Sequence, residues 1–338
     1  MSNNNIYIDN YTNFDDNYNK EYDSDIEQKE FECLSKSSSN SNFYLDNLPL
    51  NLRGRAEWWE LKKQDITILD VISFGSCGIV YKSIWRKLTC ACKIVKNTNN
   101  EFDINDLKNE LSIISHLRHP NLVLFLGAVT INDPLLLLYE YLPNNSIEKY
   151  YQNNNFPKPK IMYKWLTQLT QAIYFLHNCY YPVMHRDIKP SNILLTESLN
   201  IKITDFGLSK TLKSKNDIYK MSGCTGTLRY MAPEILLNNN YDLKIDIYSL
   251  SLNFWFIYTG KIPFKNVQNY ESLSYMITHY IRPDISKFYC SKLADIINNM
   301  WCHEPELRFN ITKVLDSINT INYNELFPKY NLFCLNII

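Results

Sequence analysis

The sequence predicts an α+β protein of two unequal lobes, a small sheet-rich half followed by a larger helical half. Three observations carry that reading. Short alternating apolar runs crowd residues 66–95, a single helical stripe follows at 103–117, and after Pro143 the apolar spacing turns helical. A chain of 338 residues with 45% hydrophobic and 14% aromatic side chains can bury a core of that size.

Residues 1–57 are rich in Asn, Asp, Ser and Tyr and poor in aliphatics, so the reading there is a disordered extension. Ile66–Ile72 then predicts a strand, Gly75-Ser76-Cys77-Gly78 a turn, Ile79–Trp85 a second strand and Ala91–Val95 a third. Ile104, Leu107, Leu111, Ile114 and Leu117 form the stripe of one helix. Leu122–Val129 and Leu135–Tyr141 complete a five-stranded half. Farther on, Met162, Trp165, Leu166, Leus at 169 and 176 and Ile173 share one helical face, and Ile245–Tyr258 is apolar nearly all round, which predicts a buried helix. Residues 321–338 read as a tail.

Charge and cysteine usage narrow the function. Lys+Arg and Asp+Glu both number 35, so the chain as a whole gives no reason to expect nucleic acid as a partner. The balance is uneven, because the first 32 residues are acidic and leave the remainder mildly basic, which suits a polyanionic small ligand or an acidic partner. The nine cysteines lack the spacing of a zinc site and read as reduced thiols. No apolar run is long enough to span a membrane. The expected location is the cytoplasm, with the nucleus kept open.

The chemistry sits in ordered strings. Ser73-Phe74-Gly75-Ser76-Cys77-Gly78-Ile79-Val80 lies between two strands, Ala91-Cys92-Lys93 is on the next, and Glu110 is on the helix. Each alone has a plain reading, a tight turn or solvated side chains. The second half adds His185-Arg186-Asp187-Ile188-Lys189-Pro190-Ser191-Asn192, then Asp205-Phe206-Gly207, then Ala232-Pro233-Glu234. In order and spacing these strings resemble the protein-kinase signature over residues 65–320. The resemblance implies a bilobal protein kinase fold, with a five-stranded N-lobe carrying one helix (65–139) and a mainly helical C-lobe (143–320). Trp58-Trp59-Glu60, His119–Ala128 and Gly226–Glu234 are similar to the tyrosine-kinase-like group, the neighbourhood of Raf and mixed-lineage kinases.

That resemblance implies ATP and Mg²⁺ as cofactors, with protein Ser/Thr hydroxyls as acceptors. Lys93 would bind the α- and β-phosphates, Glu110 would orient Lys93, and Asp205 and Asn192 would hold Mg²⁺. Asp187 would accept the substrate proton and Lys189 would neutralise the transferring phosphoryl group. Ile72, Ser73, Phe74, Gly75, Ser76, Cys77, Gly78, Ile79 and Val80 would cover the nucleotide. Val80, Ala91 and Leu194 would sandwich adenine, and Glu140 and Leu142 would offer it backbone groups. Tyr139 falls at the position that closes the pocket behind adenine, with a solvent-facing ring as the alternative. Asp246 would hold the backbone at 185–186, Arg308 would pair with Glu234, and Ile114, Phe125, His185 and Phe206 would stack between the lobes. Ser222 and Thr225 are the candidate regulatory phosphosites, acting through Arg186 and modified by an upstream kinase or by autophosphorylation, with plain turn residues as the alternative. Lys189 and Thr227 favour Ser/Thr over tyrosine as acceptor. The rival reading is a pseudokinase serving as a nucleotide-gated scaffold.

Overall fold

The computed structural model describes residues 48–74, 78–95, 108, 110–131, 134–212, 214–215 and 227–327. The chain divides into two units, Met1–Glu57 and Trp58–Ile338. In the first, helix α1 (Leu50–Ala56) corrects the reading of disorder over that stretch. Pro49 precedes its first turn, where a missing N–H costs nothing, and Arg53 pairs with Glu57 one turn on at 2.8 Å.

The second unit opens with five antiparallel strands, β1 (Ile66–Phe74), β2 (Gly78–Trp85), β3 (Leu88–Val95), β4 (Phe125–Val129) and β5 (Leu136–Glu140). Their order is β1-β2-β3-β5-β4. Side-chain alternation decides what each face does. Cys90, Cys92, Val129, Leu136 and Leu138 pack together on one face with Ile66, Ile68 and Trp85 against them. Burial, and then its neighbour Cys90, push the Cys92 thiol up to about 12, so it behaves as a small hydrophobe. Ala91 and Lys93 fall on the opposite face, towards the cleft.

β4 would be an open sheet edge, but the segment at 59–61 covers it. Leu61 donates its N–H to the Ala128 carbonyl at 2.7 Å, and Ala128 donates to the Trp59 carbonyl at 2.8 Å. The Glu60 carboxylate takes both the Thr130 N–H and its hydroxyl, at 2.9 and 2.6 Å. So close an approach requires glycine at 127, where φ is +152° and a Cβ would stand 2.7 Å from the Trp59 carbonyl oxygen.

The helical half contains α2 (Ile147–Gln152), α3 (Pro159–His177), α4 (Pro233–Leu236), α5 (Lys244–Thr259), α6 (Tyr270–Thr278), α7 (Ser291–Met300), α8 (Ile311–Asn319) and α9 (Tyr323–Leu326). Short strands β6 (Val183–Met184), β7 (Ile193–Leu195), β8 (Ile201–Ile203) and β9 (Lys210–Thr211) pair as β6 with β9 and β7 with β8. The stripe expected for α3 is buried, and every residue of α5 from Ile245 to Tyr258 is buried. The assigned tail is corrected over its first residues. Ile321 and Leu326 are buried, and the Phe327 ring stacks on Tyr258 at 4.6 Å, so the folded body continues to 327. No helix among the described residues is long and apolar enough to cross a membrane.

Glu234 and Arg308 join α4 to the loop before α8. Arg308 donates two bonds to the carboxylate, at 2.7 and 3.1 Å, in a site closed to water. Arg308→Ala is expected to lower the unfolding free energy by about 3–5 kcal/mol, because it leaves a buried carboxylate without its partner. Urea unfolding checks this, and a loss below about 1 kcal/mol would show a pair of the exposed kind.

Candidate active site

Lys93 reaches from β3 into the cleft, and its Nζ donates to both Glu110 oxygens at 3.2 Å. The same Nζ lies 3.9 Å from Asp205 Oδ1. Side-chain exposure separates the two acids: Glu110 is 6% exposed, Asp205 47%. Glu110 is thus a desolvated partner of Lys93, while Asp205 presents its carboxylate to the open cleft. Asp205 has a left-handed backbone, φ +67°, and Phe206 turns inward with its ring 4.9 Å from that of His185.

The roof is formed by β1 and β2. Ile72, Ser73 and Phe74 are exposed at the end of β1, and Ile79 and Val80 are half-buried. Gly75, Ser76 and Cys77 lie outside the described residues. Gly78 has a reason of its own: a Cβ there would meet the Ile94 carbonyl oxygen at 2.2 Å, so β2 and β3 can lie this close only with glycine. Val80 pairs with Lys93 and Lys82 with Ala91, which sets Val80 and Ala91 on the Lys93 face. On β7, Ile193 and Leu195 are buried while Leu194 is half-exposed, so it turns away from the helical core.

At the end of β5 the Glu140 N–H donates to the Leu124 carbonyl at 3.0 Å. Its carboxylate accepts from the Leu124 N–H at 2.7 Å and from Lys202 at 2.5 Å. Leu142 follows in the connection to the helical half. Tyr139 does not face solvent, because its hydroxyl donates to Glu110 Oε1 at 3.2 Å.

On the opposite side Asp187 is 7% exposed and held from several directions. Lys189 lies 2.7 Å from its Oδ2, Asn192 donates to the same oxygen at 3.0 Å, and Thr227 donates to Oδ1 at 3.4 Å. Lys189 also donates to the Thr227 hydroxyl at 2.9 Å. The Asp187 and Asn192 pair uses the amide's NH₂ end, which leaves the carbonyl end of Asn192 as a neutral hard oxygen. The Asp246 carboxylate accepts the His185 and Arg186 N–H groups at 2.8 and 2.9 Å.

A buried lysine–carboxylate pair, an exposed second carboxylate and a third held against a lysine form a set suited to gripping and transferring a charged group. A family model, the protein kinase domain, matches residues 66–318. The chain belongs to the protein kinase family. This kinase is 32% identical to the serine/threonine-protein kinase VIK of Arabidopsis thaliana, over 85% of this chain and 67% of that one. It is 34% identical to a probable serine/threonine-protein kinase of Dictyostelium discoideum, over 78% of this chain and 28% of that one. It is also 34% identical to the dual specificity protein kinase pyk3 of the same organism, over 80% of this chain and 19% of that one. The kinase therefore spans two thirds or less of these relatives' lengths.

Several supports of the kinase site had no sequence signal beyond residue type. His177 bonds Asp246 through Nε2 at 2.9 Å, Lys202 clamps Glu140, and Arg229 donates to the Pro263, Phe264 and Val267 carbonyls. Of the inter-lobe column, His185 meets Phe206, and Ile114 and Phe125 are buried. Ser222 and Thr225 lie outside the described residues.

Gly78→Ala tests the roof directly. Its Cβ would meet backbone rather than a yielding side chain, so the kinase is expected to lose about 1–3 kcal/mol of stability and to bind ATP more weakly. Thermal unfolding with and without ATP measures both, and parent-like values in both would show that β2 and β3 can separate freely.

Proposed function

We propose that this chain, a protein kinase with serine/threonine kinases among its relatives, transfers the γ-phosphate of ATP to Ser or Thr hydroxyls of protein substrates. The observation that carries the reading is the Lys93–Glu110 pair across the cleft from Asp187, Lys189 and Asn192, with Asp205 exposed between lysine and solvent. A scaffold pseudokinase would have no use for so complete a set of charges.

The roles follow from the chemistry. Lys93, held by Glu110, binds phosphate oxygens. Ile72 to Val80 cover the nucleotide, Val80, Ala91 and Leu194 contact adenine, and the backbone at Glu140 and Leu142 meets its edge. Asp187 orients the acceptor hydroxyl and takes its proton, while Lys189 stays close enough to balance the charge on the transferring group. Thr227, bonded to Lys189, shapes the acceptor pocket for an aliphatic hydroxyl. Mg²⁺ suits the donors present, since it needs only a carboxylate and a neutral oxygen beside the phosphates, and Asp205 and Asn192 offer one of each. Bound with ATP it would neutralise charge on the phosphates. We place the kinase in the tyrosine-kinase-like group on Trp58-Trp59-Glu60, His119–Ala128 and Gly226–Glu234.

Incubation with labelled ATP and generic protein substrates, followed by phosphoamino-acid analysis, is expected to give phosphoserine and phosphothreonine. Asp205→Asn is expected to fold normally and to lose phosphotransfer by roughly 10²-fold or more. Undiminished transfer by that variant, freed of contaminating kinase, would remove Asp205 from the metal site.

Regulation is proposed through Arg186. Its described partners are neutral acceptors, the Leu208 carbonyl and the Tyr241 hydroxyl, and burial together with the Arg186 charge lowers the Lys210 pKa, so two cations lie near each other. A phosphate on Ser222 or Thr225 would answer that charge. Active preparations are expected to carry it and to lose activity on phosphatase treatment. Full activity in a Ser222→Ala, Thr225→Ala protein would leave Arg186 without this role.

A further inference from the structure

Glu110 is 5% exposed, so its charge must be balanced inside the protein. Lys93 does this incompletely. Its Nζ is split between two oxygens at 3.2 Å, long for a charge-assisted bond, and it has a second acid, Asp205, at 3.9 Å. One cation thus faces two carboxylates. The second donor on Glu110 is Tyr139, whose hydroxyl meets Oε1 at 3.2 Å.

The sheet puts that hydroxyl there. Tyr139 pairs with Ala91 and Leu137 with Lys93, so Tyr139 stands on the cleft face beside the lysine, while Leu136 and Leu138 turn to the sheet's core. Phe125 is its partner on β4 and meets its ring edge-on at 5.8 Å; Trp59 meets Phe125 in the same way at 6.4 Å. This run of rings fixes the direction of the phenol. Burial, followed by the charges of Glu110 and Asp205, holds the phenol pKa well above its usual range, so the group donates at any assay pH.

We propose that Tyr139 is a positioning residue for phosphoryl transfer, whose hydroxyl keeps the Glu110 carboxylate turned to Lys93. The proposal deepens the kinase reading and rests on it for its effect on rate. It differs from a role in closing the rear of the nucleotide pocket, which needs the ring and not the oxygen.

Tyr139→Phe separates the two, because it keeps the ring. Two quantities are measured on the full chain. The first is kcat and KM for ATP. The second is the rate at which a small amine-reactive acylating reagent modifies Lys93, read by mass spectrometry, which needs no turnover. Loss of one hydrogen bond to a charged group is expected to lower kcat roughly ten-fold with KM for ATP within about two-fold, and to raise Lys93 acylation several-fold. In a Glu110→Gln background the same substitution is expected to change neither, since the pair it serves is already broken. Parent values of acylation and kcat in Tyr139→Phe would overturn the proposal. So would a change in acylation with kcat unmoved, or an equal effect in the Glu110→Gln background. A parent protein that transfers no phosphate would sink the kinase reading instead, and the acylation arm would still decide whether Tyr139 holds the pair.

Discussion

A single buried carboxylate sets the catalytic half of the molecule. Asp246 lies in α5, a helix with no solvent-facing side, so its buried carboxylate needs protein partners. It gathers the consecutive N–H groups of His185 and Arg186 and the ring of His177. Arg186, which carries the second of these amides, has a left-handed backbone, φ +68°. Burial alone would raise the Asp246 carboxyl, but the His177 bond, the charges of His177 and His185 and the Arg186 amide outweigh it and leave the pKa lowered. A lowered folded-state value means that its stabilisation is complete above the unfolded acid pKa and is lost only as pH falls through the folded one. The loop is therefore held throughout the neutral range.

The same helix fixes the rest of that face. Asn253 donates to the Ile188 carbonyl at 2.9 Å, and the Ser249 hydroxyl donates to the Tyr230 carbonyl at 2.7 Å. The first bond holds the chain between Asp187 and Lys189, and the second holds the turn that starts at Thr227. Thr227 can meet both Lys189 and Asp187 because both segments are tied to one rigid rod. The sheet half works differently. There Lys93 is placed by strand alternation, and the Glu110 carboxylate is met by the side chains of Lys93 and Tyr139. Between the halves, Lys202 on β8 meets Glu140 at the end of β5, at 2.5 Å, which limits the angle the connection can take.

Much of this was legible in the sequence, and what was not has a common cause. The five strands, α3 and α5 follow from apolar spacing, and the charged residues of the site follow from order and spacing along the chain. Local pattern underestimated segments whose stability comes from contacts far away in the chain. Residues 321–327 look like a tail until Tyr258, distant in sequence, is seen to stack on Phe327 and to bond the Leu326 carbonyl. Helix α1 was missed because composition over 1–57 was averaged across a stretch whose last residues differ from the rest. Tyr139 was read by size, since only the β3–β5 register shows that its oxygen reaches Glu110. Gly78 was read only as part of the nucleotide cover, whereas the carbonyl of Ile94 also demands glycine there.

Other polar groups on the buried helix show how burial is balanced there. Ser251, in the buried helix, satisfies its hydroxyl on the Tyr248 carbonyl at 2.6 Å, so this buried polar group leaves no orphan. Tyr248 itself leaves a buried hydroxyl without a partner, an expensive feature. Its ring, however, has Arg282 at 5.1 Å and Arg308 at 5.3 Å, and cations over an aromatic face in a desolvated site are stabilising. Arg308 meanwhile keeps both bonds to Glu234. Around α5, neighbouring groups meet buried polar side chains through hydrogen bonds or ring contacts. At Lys93, Glu110, Asp187 and Asp205 no neighbour could make up for a lost charge, because each faces its partner across low-dielectric space or opens directly on the cleft.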